Sequence, residues 1–257
     1  MPRSEPLDTL LKSVSGRGIA TLTFNRPDRA NSYNAEMLDA LADGFEQFGQ
    51  DSAVRVIVLR GSGKHFSAGA AIGESARPKR AIGDVCALVD ATPKPTIAVV
   101  QGACIGGALA LASCCDVMVA SREAFFSIPE VRLGFAPGPL IGSFLRAIGY
   151  RALRRYLLSG ERFTAEEAHR LGLVQQLCDA PAIDSVADEL IDQLLLGAPA
   201  AAANAKRLLQ NLAPAALSAG ELRKMQAAFE AMAKSDEAAE GRAAFQEKRK
   251  PRWYPPR

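Results

Sequence analysis

Four short apolar segments in the first half of the chain limit its fold more than any other feature: 18–24 (GIATLTF), 54–59 (VRVIVL), 96–100 (TIAVV) and 116–120 (DVMVA). Each has the length and the alternating or β-branched character of a strand. Residues 124–127 supply a further one. After the first strand comes the turn signal Asn25-Arg26-Pro27-Asp28, and Asn34 is then placed to cap a helix on which Met37, Leu38, Leu41, Phe45 and Phe48 recur every three or four residues. An alanine-rich helix ending near Cys114 separates the third strand from the fourth. Strand, helix and strand in succession make a crossover unit, so the spacing predicts an α/β fold with largely parallel pairing. After Pro137 the pattern turns helical, near 140–148, 152–158, 165–171 and 183–195, and beyond Pro199 only helices are expected. A glycine–proline break at Gly197 divides an expected core, 1–197, from an expected helical region, 198–257.

At 257 residues, 48% hydrophobic and 23% charged, the composition excludes disorder, collagen and coiled-coil rods. No apolar run approaches the roughly 18 to 20 residues of a membrane span, and MPRSEPLDTLLKS lacks a signal-peptide core, so the expectation is a cytoplasmic protein. Cys86, Cys104, Cys114, Cys115 and Cys178 are odd in number and form no C-x-x-C pair, which suits reduced thiols and argues against a zinc site. Two distant histidines, His65 and His169, make neither a triad nor a metal centre. Neither G-x-G-x-x-G nor G-x-x-x-x-G-K-[ST] nor G-x-S-x-G occurs, which removes the main sequence support for nucleotide-dependent redox and serine esterase chemistry. The net charge of +3 is concentrated in a tail: residues 242–257 hold six basic side chains against one acidic.

Several motifs, in order, carry a resemblance. They are Asn25-Arg26-Pro27 with Asn31, His65-Phe66-Ser67-Ala68-Gly69-Ala70, Gly102 through Asp116, Pro129-Glu130 with Gly134 and Pro137-Gly138, and Phe245 with Glu247-Lys248-Arg249-Lys250. Together they resemble the crotonase superfamily, the enoyl-CoA hydratase/isomerase family, over nearly the whole chain. The resemblance implies a spiral of ββα units, a C-terminal helical trimerisation region, a homotrimer or dimer of trimers, and an acyl-CoA thioester substrate. Coenzyme A is then part of the substrate, and no separate cofactor or metal is expected.

By the same resemblance, the backbone N–H groups of Ala70 and Gly107 form the oxyanion hole, which stabilises charge developing on a thioester oxygen. Their surroundings suit that role, because small side chains at 67–71 permit close approach and Gly107 opens a helix. On residues alone, Gly106-Gly107 reads first as a plain strand-to-helix turn. Glu130 matches the second glutamate of family hydratases and, among apolar neighbours, is expected to act as a general base. Its alternative is a loop carboxylate paired with Arg132 or capping a turn. The first hydratase glutamate would lie three residues after Gly107, where this chain has Ala110, and the position after Ala70, often aspartate in the family, is Ala71. Glu74 is either a replacement acid, brought round by a short helix from residue 70, or a solvated loop residue. His65 is read as a packing or loop hydrogen-bonding residue.

For CoA, the resemblance points to Arg29, Ala68, Ala70, Ile72, Phe229, Phe245 and Lys248, with the last helices completing a neighbouring subunit's site. The basic tail is otherwise a solvated face, and nucleic-acid binding finds no aromatic motif in support. These features predict an enoyl-CoA isomerase working through one glutamate. The alternatives are a hydratase with a substitute acid/base, a CoA-thioester hydrolase or decarboxylase, and a non-catalytic acyl-CoA- or RNA-binding protein.

Overall fold

The computed structural model describes residues 8–74, 76–212 and 219–253. All four expected strands are present, as β2 (Ile19–Phe24), β3 (Val56–Gly61), β4 (Thr96–Val100) and β6 (Val117–Ser121), paired side by side and parallel. An edge strand β1 (Leu10–Val14) adds antiparallel to β2, and β9 (Gln176–Cys178) adds parallel to β6. The connection from β2 to β3 is α1 (Ala35–Gln50), whose first free N–H groups are capped as the sequence predicts: the Asn34 side chain accepts from the Met37 N–H at 3.0 Å. The α1 face carrying Met37, Leu38, Leu41, Phe45 and Phe48 is buried on the sheet, where Gly44 lets Leu22 approach the helix.

Both faces of the sheet are covered, which is why 56–59 of β3 and 97–100 of β4 are continuously apolar and buried rather than alternating. On one face Ile57 and Leu59 join the main core beneath α1, α2 (Ile82–Ala91) and α3 (Gly107–Ser113). On the other, Val56, Val58, Ile97, Val99 and Val119 pack with Ala187 and Ile191 of α6 (Ile183–Leu195). A second, smaller sheet orders β5 (Ala103–Ile105), β7 (Phe125–Ser127) and β8 (Arg162–Thr164). Two isolated parallel bridges, Ser67 to Cys104 and Tyr33 to Ala70, extend its ladder into the 67–71 loop.

The expected helices at 140–148 and 152–158 form one kinked element, α4 (Ile141–Ser159), interrupted at Gly149, which has φ +71°. α5 (Ala165–Arg170) follows β8. Three helices close the described chain: α7 (Pro199–Leu212), α8 (Ala219–Ala233) and α9 (Asp236–Gln246). Lys206 of α7 donates to Asp116 at 2.8 Å, and Asp116 also accepts from the Thr96 N–H and hydroxyl, which ties α7 to the ends of β4 and β6. α9 lies directly on the 130–134 segment, because a side chain on either Gly134 or Gly241 would strike the other segment's backbone. α8 brings Phe229 against Gly138 and edge-on to Phe135, with ring centroids 5.4 Å apart.

Candidate active site

The Asn25-Arg26-Pro27 motif acts through Asn31, which is wholly buried. The Asn31 side chain accepts from the Arg26 N–H at 2.8 Å and donates to the carbonyls of Ser62 and His65 at 2.8 and 2.7 Å. The Ser67 hydroxyl in turn donates to the Asn31 carbonyl at 2.7 Å and accepts from the Gly69 N–H at 3.2 Å. These bonds hold the 62–69 loop together with backbone bonds to β2 and β5, in which the Ser62 N–H donates to the Phe24 carbonyl and the Ser67 N–H to the Ala103 carbonyl, each at 2.9 Å. Gly69 then turns the chain at φ +88°. The Tyr33 N–H donates to the Gly69 carbonyl at 2.9 Å, and the Ala71 N–H donates to the Tyr33 carbonyl at 2.8 Å. Because residues 69 and 71 make the bonds of this parallel bridge, the N–H of Ala70 between them points away from Tyr33, and it finds no acceptor among the described residues.

Gly106 leaves β5 with φ +57° and donates to the Ser127 carbonyl at 2.9 Å, after which Gly107 opens α3. The first N–H groups of a helix have no partner within it, and that of Gly107 has no other acceptor among the described residues. The Ser67 carbonyl accepts from the Ile105 N–H at 3.1 Å, and a side chain on Gly69 would meet the Ile105 carbonyl. The two small-residue segments therefore run against each other, and the free donors Ala70 and Gly107 belong to one site.

Glu130 begins a 3-10 turn, Glu130–Leu133, directly after β7. It is 7% exposed, its Oε2 has no hydrogen-bond partner among the described residues, and its Oε1 would lie 2.9 Å from a Cβ on Gly106. Burial pushes its carboxyl up to about 7, opposed in part by its own backbone N–H. Arg132 does not pair with it, since Arg132 Nε donates to the Ser159 carbonyl at 2.8 Å. Glu130 is therefore not the partner of Arg132, and its carboxyl lies beside the Gly106-Gly107 pair.

Glu74 is placed differently. Residues 71–74 form a turn, not a helix, and Glu74 accepts from Arg26 at 2.6 Å, an ion pair that holds its carboxyl below the usual range. Ala110 is completely buried. His65 Nδ1 accepts from the Ala103 N–H at 3.0 Å, a loop hydrogen bond that needs the neutral ring, and partial burial together with Lys64 lowers its pKa accordingly.

Of the residues expected to meet CoA, Ala68 and Ile72 flank the Ala70 loop, and Ile72 lines an open cleft of about 420 Å³ with Gly73, Glu74, Arg242, Ala243 and Gln246. Arg29 is exposed at the end of the 27–29 turn. Phe229 is occupied by Gly138 and Phe135 of its own chain, whereas Phe245 is 61% exposed on α9. Lys248 lies beyond the end of α9 at φ +53°, so it does not extend the helix from Phe245. The tail is partly neutralised: Arg249 pairs with Glu240 and Glu247, and Arg252 with Glu240. Sequence reasoning passed over Tyr33, whose phenol reaches Gly107, and Ile82, which also touches it. Nothing local distinguishes a tyrosine just before a helix cap from an ordinary packing residue.

Residues 15–255 match the family model for enoyl-CoA hydratase/isomerase. The Bacillus subtilis (strain 168) protein YngF is 34% identical over 253 residues, covering 95% of this chain and 97% of its own. The 2,3-dehydroadipyl-CoA hydratase of Escherichia coli (strain K12) is 33% identical, covering 91% and 94%. The crystal structure of an enoyl-CoA hydratase from Mycobacterium avium subsp. paratuberculosis K-10 superposes with a TM-score of 0.84 at 30% identity, over 97% of this chain and 100% of that one.

Proposed function

This chain belongs to the enoyl-CoA hydratase/isomerase family, and from that premise we propose that it moves a proton between carbons of an enoyl-CoA thioester through one carboxylate, Glu130. The observation that carries this reading is a single buried, unpaired carboxylate beside Gly106-Gly107, with a methyl group at residue 110 and Glu74 held by Arg26. The thioester oxygen accepts from the N–H groups of Ala70 and Gly107. Ionised Glu130 takes the proton from the carbon between the thioester and the 3,4 double bond, and the electron pair spreads into a dienolate whose charge rests on that oxygen. Glu130 then returns the proton to the far end of the dienolate, leaving the double bond conjugated with the thioester. No atom is gained or lost, and the protein ends in the protonation state in which it began. The step needs no cofactor beyond the CoA carried by the substrate.

Around that centre, Ile72, Ala68 and Arg29 are positioned to follow the CoA chain out of the site, with Phe245 and Lys248 at the C-terminal side. The proposed assembly is a trimer or a dimer of trimers, for which the exposed Leu208 and Leu209 on α7 offer apolar surface. The five free thiols suit a reducing compartment, in keeping with the cytoplasm, and no helix among the described residues is long and apolar enough to cross a membrane. Hydration is the second reading, favoured by the name of the Escherichia coli relative, and it requires a further group to activate water. Turnover of 3-enoyl- and 2-enoyl-CoA esters separates the two. Isomerisation of the 3-enoyl ester should dominate, and Glu130→Gln should lower it by roughly 10² to 10⁴. Faster hydration of the 2-enoyl ester, or full isomerisation by Glu130→Gln, defeats the proposal.

A further inference from the structure

Tyr33 touches both halves of the oxyanion site. Its main chain holds the Ala70 loop through the two hydrogen bonds to Gly69 and Ala71. Its side chain crosses to α3, where the phenol oxygen occupies the place a Cβ on Gly107 would take. Cα–Cβ bonds in a helix lean toward its N-terminus, so that oxygen stands at the end of α3 where the Gly107 N–H is free. Only a glycine at 107 leaves room for it. Positions three apart share a helix face, and on this one the next residue is Ala110, a buried methyl with no polar atom to engage the phenol. The Tyr33 side chain is largely buried, at 8% exposure, with its hydroxyl at Gly107 and bonded to no described residue.

A hydroxyl that bonds to no described residue and stands where negative charge is to develop is free to take its partner from the reacting molecule. We infer that Tyr33 is a catalytic residue whose hydroxyl donates a third hydrogen bond to the thioester oxygen, beside the N–H groups of Ala70 and Gly107. The inference rests on the enolate chemistry proposed above. No proton leaves the phenol: the bond is weak to the neutral carbonyl and strengthens as the oxygen becomes anionic. Burial, reinforced by Cys86 and Glu130, raises the phenol's pKa far above its ordinary value, so it remains a donor through the neutral range. A second carboxylate in its place would repel the enolate. The phenol adds a donor without adding charge.

The test uses full-length Tyr33→Phe, which keeps the ring and removes only the hydroxyl. Isomerisation kcat should fall by roughly 10²-fold, the usual effect of removing one oxyanion donor, with KM changed by no more than about threefold. Equilibrium binding of two probes separates catalysis from packing. Acetoacetyl-CoA, which can bind as an enolate, should bind roughly 10- to 100-fold more weakly to the variant, while butyryl-CoA, which cannot, should bind as it does to the wild type. Equal weakening of both probes would assign the hydroxyl to packing and overturn the inference. Wild-type kcat and acetoacetyl-CoA affinity in Tyr33→Phe would overturn it as well, leaving the function intact. A wild-type protein that binds neither CoA ester would instead overturn the functional reading beneath it.

Discussion

Glu130→Gln should do more than stop catalysis: it should stabilise the protein, and increasingly so as the pH rises. The carboxyl titrates near 7 in the folded chain, against an ordinary value of 4.5, because burial penalises its charged form. At about 1.4 kcal/mol per pH unit, that difference corresponds to roughly 3 kcal/mol. The sign follows from which state holds the proton. Below 4.5 the group is neutral in both folded and unfolded chains and costs nothing. Between 4.5 and about 7 the unfolded chain releases its proton while the folded chain keeps it, so stability falls as pH rises. Above that window both are ionised, and the folded state carries the whole penalty. Glutamine does not titrate, and any packing difference it introduces is independent of pH. Denaturant unfolding of both proteins, at fixed protein concentration because an oligomer's stability depends on it, should therefore show the variant gaining roughly 3 kcal/mol on the wild type between about pH 4.5 and pH 8.5. Over the same range, wild-type kcat/KM should climb through about pH 7 as the base ionises. A stability gap that stays constant with pH refutes the assignment of Glu130 as a buried, desolvated base.

Three other substitutions check separate parts of the site. Glu74→Gln breaks an ion pair with Arg26 at the rim, and isomerase turnover should stay within about threefold of wild type, since a partly exposed pair is worth little; abolished turnover would move the catalytic carboxylate to Glu74. Gly241→Val drives a side chain into the Leu133 backbone and should loosen α9, which limited proteolysis would detect as earlier cleavage of the C-terminal helices together with lower turnover. Ala110→Glu places a carboxylate on the Gly107 face at an overpacking cost of roughly 1 to 3 kcal/mol, and the folded variant should gain 2-enoyl-CoA hydration, measured as loss of the conjugated thioester absorbance.

The elements readable from sequence were those whose signal is local and long enough to repeat. α1 declares itself by a capping asparagine and five apolar residues on one face, and β4 by five consecutive apolar or β-branched residues buried on both sides. The elements that escaped were β5, β8 and β9, at three residues each below any periodicity, and β1, an edge strand with one buried residue in five. α2 escaped for a different reason: apolar residues nearly surround it, so no face stands out. At the site, the family resemblance pointed to Ala70, Gly107 and Glu130, and the structure adds the partners that spacing cannot give. Whether Glu130 paired with Arg132 depended on Ser159, 27 positions beyond the arginine, whose carbonyl takes it instead. Glu74 was likewise decided by Arg26, 48 positions earlier, and Tyr33 by a contact with Gly107 at the start of α3. Each is a long-range choice of partner, and residue type alone does not encode it.

Counting charge through the proposed reaction explains why a site with one carboxylate and a phenol is self-consistent. Before proton transfer, the negative charge sits on Glu130; afterwards, Glu130 is neutral and the same charge sits on the thioester oxygen. The pocket holds a single negative charge throughout, and what changes is its position. A carboxyl raised to about 7 is matched to that exchange, because the burial that makes the anion costly also makes it eager for a proton. The cost is highest at Glu130, where Oε2 has no donor, and lowest at the oxygen facing the N–H groups of Ala70 and Gly107 and the hydroxyl of Tyr33. The polarity of the site thus runs from an undersolvated base toward a place supplied with donors, and it favours moving charge in that direction. In the proposed reaction, an ionised acid at residue 110 would put a second anion beside the forming enolate, so Ala110→Glu should lose isomerisation even where it gains hydration.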